Sequence, residues 1–173
     1  NFINSKDFHS NNQGLKNPIV CYGKGQTLGY VERELIKTRI DWINKWKVFT
    51  PRANNIGTEL NDDNLNTFIG KPNTICTESY IIVGADLDLN SSSAKNISKF
   101  LTGKFARYMH SLGKASQDAT AKTYRFIPLQ DFTDKSDINW SKSINEIDKQ
   151  LYKKYNLSED EIDYIENKIK DME

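Results

Sequence analysis

The sequence predicts an α+β fold, in which a twisted mixed sheet is packed by one long amphipathic helix and followed by a helical C-terminal segment. Three observations predict it. Short β-prone runs separated by turn residues fill the first half of the chain, the strongest helical periodicity lies in residues 93–112, and capped helical patterns follow near the end. With 173 residues, of which 37% are hydrophobic, the chain can bury one domain-sized core.

The β-prone runs begin with a hairpin pattern. Residues 18–22 and 27–31 are separated by Gly23-Lys24-Gly25-Gln26, which is typical of a tight turn between two strands. Residues 32–44 predict a short helix or an extended connector. Further strands are predicted at residues 47–50, 67–71, 79–84 and 124–129. The run Tyr80-Ile81-Ile82-Val83 is almost wholly apolar, so we expect it to be buried on both faces.

The helical patterns follow these strands. Three serines at residues 91–93 are N-cap candidates for one helix that continues to about Leu112. Its apolar side chains recur at helical spacing, at Ile97, Phe100, Leu101, Phe105, Tyr108, Met109 and Leu112. Two more helices are predicted at residues 143–155 and 158–171, where Ser158 and Glu161 form a capping box.

These elements divide the chain into three segments. Residues 1–17 are polar and predict a loop or linker from a preceding region, residues 18–132 hold the α/β core, and residues 133–173 form a C-terminal helical segment. The chain begins with Asn rather than Met, which indicates an excised fragment of a longer protein.

The net charge of +1 conceals an uneven distribution. Residues 1–90 carry 10 basic and 10 acidic side chains, residues 91–130 carry 7 and 1, and residues 131–173 carry 7 and 12. The basic block is suited to meet phosphate, whereas the acidic tail should face solvent or a basic partner.

Several function classes lack support. No apolar run reaches the roughly 18 residues of a membrane span and no signal-peptide pattern is present, so we expect a cytoplasmic protein without a membrane partner. Cys21 and Cys76 predict reduced thiols, mostly buried, and they form no zinc-ligand spacing with His9 and His110. Neither histidine lies near a plausible Ser or Cys nucleophile in the sequence. The sequence therefore predicts no catalytic and no metal-binding residue in this chain.

The positive signals concern nucleic-acid binding. Arg can bind guanine through two hydrogen bonds, Asn can bind adenine in the same way, and Lys mostly neutralises phosphate. The candidates for DNA contact are Arg33, Lys37, Lys47, Arg52, Asn54, Asn55, Lys95, Lys99, Arg107 and Lys114. Helical spacing places Lys95, Lys99 and Arg107 on a shared face. The alternative interpretation of both groups is a solvated charged surface.

Several short segments along the chain form a recognisable succession. Two of the segments are Trp-Lys-Val-Phe-Thr-Pro-Arg at residues 46–52 and Phe-Ile-Pro-Leu-Gln-Asp-Phe at residues 126–132. The others are residues 29–31, 69–72, 75–80, 104–107, 151–155 and 162–166, together with Gln117. Their order resembles the C-terminal target-recognition region of adenine-specific DNA methyltransferases from bacterial restriction-modification systems of type II. The resemblance extends from about Val20 to the end of the chain.

This resemblance implies a division of labour within a longer polypeptide. The parent protein would transfer a methyl group from S-adenosylmethionine to adenine, and the family includes enzymes fused to an endonuclease. This chain would bind double-stranded DNA beside the catalytic methyltransferase region and choose the sequence. Lys47, Arg52 and Arg107 lie within matching segments and are the first candidates for DNA contact. The loop at residues 55–66 is where such recognition regions should differ. No cofactor is expected in the chain itself.

One motif of the family is missing. Amino-methylating enzymes share a motif of Asp or Asn, two prolines and an aromatic residue, but the four prolines of this chain are never adjacent. Catalysis must therefore belong to another part of the protein. Two other hypotheses stay open: a protein-interaction module that uses the acidic C-terminal helices, and a self-contained nuclease, which lacks a strand carboxylate to accompany Glu166-Asn167-Lys168.

Overall fold

A computed structural model of the chain describes residues 3, 5–56, 65–116 and 118–172, and it confirms a mixed α+β fold. The strands are β1 (Pro18–Tyr22), β2 (Leu28–Glu32), β3 (Lys47–Pro51), β4 (Phe68–Gly70), β5 (Thr74–Cys76) and β6 (Tyr80–Val83). The helices are α1 (Ser91–Thr102), α2 (Lys104–Gly113), α3 (Ile144–Lys154) and α4 (Glu159–Lys168). Short 3-10 helices lie at Ser5–Asp7, Lys24–Gln26, Arg33–Leu35, Ile40–Asn44 and Ala121–Tyr124.

The strands form two three-stranded sheets in place of the single mixed sheet that we predicted. In the first sheet β1 pairs antiparallel with β2, as the hairpin pattern predicted, and parallel with β5. In the second sheet β3 pairs antiparallel with β4 and with β6. Although β5 follows β4 closely in sequence, it joins the other sheet, so the chain crosses between the sheets twice around β5.

An aromatic cluster connects the two sheets. Tyr22 of β1 lies 5.8 Å from Phe49 of β3 and 5.0 Å from Phe68 of β4, measured between ring centroids. Tyr80 of β6 completes the cluster at 5.1 Å from Phe68. Because tilted and edge-on aromatic pairs at these distances are favourable, the cluster stabilises the arrangement of the two sheets.

Three details of the strand predictions need correction. The Tyr80–Val83 strand is half-buried along its length rather than buried on both faces. Residues 124–129 form no strand: Tyr124 ends a 3-10 helix, where its hydroxyl lies 2.8 Å from the Thr50 hydroxyl and its ring packs on His110. Pro128 also lacks the N–H that a ladder requires. The short strand β5 was not predicted.

The predicted long helix is broken into α1 and α2 at Gly103, whose backbone is extended (φ −65°, ψ 154°). The buried carboxylate of Asp148 from α3 accepts hydrogen bonds from the backbone N–H groups of Lys104 (2.8 Å) and Phe105 (3.1 Å), and so caps α2. A Cβ at residue 103 would lie only 2.5 Å from an Asp148 oxygen, so glycine is needed for this close approach. The break results from a contact 44 residues away in sequence, which helical periodicity does not record.

The remaining helix boundaries follow local sequence rules. Asn90, one residue before the predicted serines, caps α1 and forms a capping box with Ser93. The predicted box at α4 is confirmed, since the Ser158 hydroxyl accepts from Glu161 N–H and the Glu161 carboxylate accepts from Ser158 N–H. Ser143 and Glu146 make the same arrangement at α3.

The larger hydrophobic core combines residues of β3, of all four helices and of segments that connect them. Val48 of β3, Phe100 of α1, Leu151 of α3 and Ile165 of α4 are buried in one cluster. The helices of residues 133–173 therefore complete the core of the preceding segment. A smaller cluster lies in the first sheet around Cys21 and Val31. None of the helices in the described ranges combines the length and apolar character needed to cross a membrane.

Candidate nucleic-acid interface

Lys47 was a leading candidate for DNA contact, but its side chain is turned inward and only 1% of the residue is exposed. Its ammonium donates hydrogen bonds to the backbone carbonyls of Trp42 (2.8 Å), Ile43 (3.1 Å) and Lys45 (2.9 Å). Burial lowers the pKa of this amine to about 8. The side chain satisfies carbonyls at the end of the Ile40–Asn44 helix, which is a structural role.

Arg107 is also buried, with 2% of the residue exposed. Its Nε donates to the carbonyl of Thr102 (3.0 Å), the last residue of α1, and its Nη2 donates to the carbonyl of Lys170 (2.7 Å), which follows α4. The guanidinium thus connects α2 to the ends of two other helices. Like Lys47, Arg107 is turned into the protein interior.

Three further candidates contact other parts of the chain. The Lys99 ammonium donates to the carbonyls of Trp140 (3.0 Å) and Lys142 (3.1 Å). Lys114 donates to the backbone carbonyl of Asn54 (2.8 Å) and forms a short hydrogen bond with its side-chain oxygen. Asn54 itself is only 2% exposed and donates to the carbonyl of Pro51, so its amide edge is not presented to a base.

The basic face predicted for one long helix does not exist as a unit. Lys95 lies exposed on α1, whereas Lys99 and Arg107 point to different carbonyl groups. Lys104 forms ion pairs with Glu166 (2.8 Å) and Asp171 (3.4 Å), both from the acidic tail. Part of the charge separation seen in the sequence is therefore neutralised by ion pairs within the folded chain.

The other candidates lie nearer to solvent. Lys37 is exposed and Arg33 is half-buried, both in the connector between β2 and β3, and Asn55 is half-buried. The side chain of Arg52, just after β3, is 38% exposed. Of the ten predicted residues, Arg52 alone lines the cleft described next. Gln117 and residues 57–64 of the predicted variable loop lie outside the described residues.

A cleft of about 720 Å³ opens where the second sheet meets the turn of the β1–β2 hairpin. Because β3 is antiparallel to β4 and β6, the C-terminal end of β3 lies beside the N-terminal ends of its two neighbours. The hairpin turn reaches this edge through a hydrogen bond from Gln26 N–H to the Tyr80 hydroxyl (2.8 Å). The lining residues are Lys24, Gly25, Gln26, Pro51, Arg52, Ala53, Asn66, Thr67, Glu78, Ser79, Tyr80 and Asp118.

Backbone hydrogen bonds fix the position of Arg52 in this cleft. Its N–H donates to the carbonyl of Ser79 (2.9 Å), and its carbonyl accepts from the N–H of Ala119 (2.7 Å). An isolated β-bridge joins Ala53 to Asp118, and the Arg52 guanidinium lies 3.6 Å from the Asp118 carboxylate. We name these two side chains the Arg52–Asp118 pair; both of its members are held by main-chain contacts.

The cleft offers hydrogen-bonding chemistry. Among the described residues, its lining contains two cations, Lys24 and Arg52, and two carboxylates, Glu78 and Asp118. Side-chain amides of Gln26 and Asn66 and hydroxyls of Thr67, Ser79 and Tyr80 complete the polar lining. Such a mixture of donors and acceptors is suited to the edges of bases, and an open cleft of this size admits a group larger than one base.

Sequence reasoning missed Lys24 and Asp118. A signal existed for each: Lys24 lies between two glycines at the tip of a predicted hairpin, where a long side chain is exposed, and Asp118 is the sole acidic residue among residues 91–130. Neither signal shows that the two residues share a cleft, because that depends on how the two sheets are arranged.

His110 and the two cysteines have surroundings typical of structural residues. Burial lowers the pKa of His110 to about 4, and its Nε2 lies 2.9 Å from the Thr123 hydroxyl. Cys21 is buried and Cys76 half-buried; both are free thiols, and burial raises both pKa values, that of Cys21 to about 12. Within the described ranges, no group of three or more His, Cys, Asp or Glu residues is placed to hold a metal ion.

Comparisons with known proteins identify no relative of this chain: no protein-family model, no curated protein and no solved structure matches it. We therefore infer function from the residues and the geometry given above, together with the sequence resemblance.

Proposed function

We propose that this chain is the sequence-specific duplex DNA recognition domain of an adenine-specific, S-adenosylmethionine-dependent DNA methyltransferase of a restriction-modification system. The sequence resemblance supports the family. The single structural observation that supports DNA recognition is the cleft, in which Arg52 is positioned by main-chain contacts beside a polar lining. In this proposal the parent protein binds S-adenosylmethionine elsewhere, works in the cytoplasm and carries the catalytic motif.

The proposed DNA-contacting set differs from the predicted one. Arg52 stays as the leading residue for base contact, and Lys24 joins it as a phosphate contact from the hairpin turn. Arg33, Lys37, Asn55 and Lys95 are peripheral candidates because they are exposed or half-buried outside the cleft. Lys47, Asn54, Lys99, Arg107 and Lys114 are left out, because their side chains bind protein carbonyls or each other.

The proposal is tested by mapping N6-methyladenine across the host genome with the encoding gene present and with it deleted. We expect methylation of one defined sequence to disappear on deletion and to return on complementation. The bases of that sequence identify what this domain selects. An unchanged methylation map, in a host where the gene is expressed, would contradict the methyltransferase assignment.

An interaction module is the second candidate, supported by four exposed acidic residues at the start of α4: Glu159, Asp160, Glu161 and Asp163. Such a module would bind a basic polypeptide through this face. This candidate predicts that the chain binds poly-lysine and that neutralising the four residues abolishes this binding. It also predicts that the chain binds no DNA duplex at low salt. Duplex binding that survives the neutralisation favours DNA recognition instead.

A further inference from the structure

We infer that the Arg52–Asp118 pair recognises a single G·C base pair from the major groove, an inference that depends on the proposed DNA-recognition function. The pair lies at the edge of a cleft where two sheets meet, and its side chains are 38% and 60% exposed. Arg52 is the specificity-determining residue for guanine, and Asp118 serves both to position Arg52 and to contact the cytosine.

The chemistry of the pair matches one base pair and opposes another. In the major groove guanine presents the acceptors O6 and N7, to which an Arg donates two hydrogen bonds, and cytosine presents the N4 amino donor, which a carboxylate accepts. In an A·T pair the positions are reversed: adenine offers an amino donor and thymine offers an acceptor oxygen. A carboxylate beside that oxygen would be repelled, so the pair discriminates by attraction and by repulsion.

The contact between the two side chains is a weak one. The separation of 3.6 Å is longer than the roughly 2.7–2.9 Å of a strong charge-assisted hydrogen bond. An ion pair between exposed side chains is weak, whereas a bidentate contact of Arg with guanine distinguishes that base from a wrong one.

The other charges of the cleft favour a base edge over a phosphate beside Arg52. Glu78 and Asp118 place two carboxylates in the lining, which repel a phosphate group. Lys24 lies on the hairpin turn that forms another part of the lining. We therefore assign the DNA backbone to the side of Lys24 and the base edge to the side of Arg52.

The first experiment uses the chain with unmodified side chains and varies the DNA. A randomised duplex library is selected for binding at low salt, and each G·C pair of the selected site is then replaced in turn by A·T, by inosine·C, by 7-deazaguanine·C or by G·N4-methylcytosine. Inosine keeps O6 and N7 and loses only the minor-groove amino group, so at one position we expect inosine·C to bind within about twofold of G·C. A·T and 7-deazaguanine should weaken binding there by roughly 5- to 150-fold, which corresponds to about 1–3 kcal/mol.

The second experiment changes the pair itself. Arg52→Lys keeps the charge and removes the planar two-donor geometry, so we expect the preference for that G·C pair to disappear while the salt dependence stays unchanged. Asp118→Asn should reduce discrimination against A·T and also tighten binding to unrelated duplexes, because a negative charge is removed. Arg125→Lys is the matched control, since Arg125 is exposed and lies outside the cleft lining.

The outcomes distinguish a failure of this inference from a failure of the proposed function. A chain that selects a defined sequence, but whose preference is unaltered by both Arg52→Lys and Asp118→Asn, overturns the assignment of the pair and leaves DNA recognition standing. Inosine·C that binds as poorly as A·T also overturns it, because minor-groove contact is then required. A chain that selects no sequence at all overturns the proposed function together with this inference. Thermal unfolding followed by circular dichroism verifies that each variant is folded, and the modified bases test the assignment without any substitution.

Discussion

Cations in the helical region and cations at the edge of the second sheet have different environments. In the helices Lys99 and Arg107 donate to protein carbonyls, and Lys104 pairs with carboxylates of the acidic tail. At the sheet edge Lys24 is exposed and Arg52 is partly exposed within an open cleft. A basic segment in a sequence therefore does not by itself indicate a binding surface, because folding can use its charges internally.

The backbone explains this difference. Carbonyl groups at helix ends and in irregular loops have no regular partner and need donors when they are buried. The ends of α1 and α4 obtain those donors from Arg107, and the loop carbonyls of Trp140 and Lys142 obtain them from Lys99. At the cleft the Arg52 main chain is paired with Ser79 and Ala119, and the Arg52 guanidinium lies beside the Asp118 carboxylate.

The largest effect that tests this comparison concerns stability. Arg107→Met removes a buried cation and leaves the carbonyls of Thr102 and Lys170 without the guanidinium that they bind. We expect the free energy of unfolding, measured by urea denaturation, to fall by about 1–3 kcal/mol for each carbonyl left without its donor. Lys95→Met, at an exposed site on α1, is the matched control and should change stability by less than about 0.5 kcal/mol.

Equal stability of the two variants would contradict the internal role assigned to Arg107. A loss confined to DNA affinity, with no change in the urea midpoint, would instead restore Arg107 as a contact residue.

A smaller effect sharpens the comparison at the break between α1 and α2. Burial raises the pKa of Asp148 to about 6 from an ordinary value of 3.8, against the opposing effect of the backbone N–H groups of Lys104 and Phe105. Between about pH 4 and 6 the folded chain thus binds more protons at this residue than the unfolded chain. Asp148 consequently contributes a free energy of unfolding that decreases as pH rises through this window, by up to about 3 kcal/mol.

Asp148→Asn removes that titration. Urea denaturation at matched ionic strength gives the free energy of unfolding of the natural protein and of the Asn variant. We expect the difference, natural protein minus variant, to decline between pH 4 and pH 6 and to stay level above pH 7. Other acidic groups titrate in both proteins, so the comparison of the two isolates Asp148. A constant difference across this range would show that the Asp148 carboxylate has an ordinary pKa.

Local chemistry explains how much of the fold could be predicted. The β1–β2 hairpin, the strand β3 and the α4 capping box depend on neighbours within a few residues, and all were predicted. The break at Gly103 depends on Asp148, and the division into two sheets depends on β5 pairing with β1. These features are set by contacts between distant residues, which neither periodicity nor turn propensity records.

The candidate site was predicted less completely than the fold. Charge and residue type selected Arg52, which is partly exposed, but the same criteria selected Lys47, whose three carbonyl partners are visible only in three dimensions. Lys24 and Asp118 were missed because the cleft is assembled from five separate chain segments. A residue type indicates which contacts are possible, and the fold decides which are made.

The smallest expected effect concerns Lys24 and tests the exposed side of the comparison directly. If its ammonium neutralises one phosphate, Lys24→Gln should reduce the slope of log affinity against log salt by about 0.9 and weaken binding to selected and unrelated duplexes alike. Fluorescence anisotropy across a salt series measures both quantities. Lys168→Gln, which removes an exposed lysine of α4 outside the cleft, is the matched control and should leave the slope unchanged.

Equal slopes for the two variants would remove Lys24 from the interface. A loss for Lys24→Gln confined to one DNA sequence would show that it contacts a base, because a phosphate contact carries no sequence information.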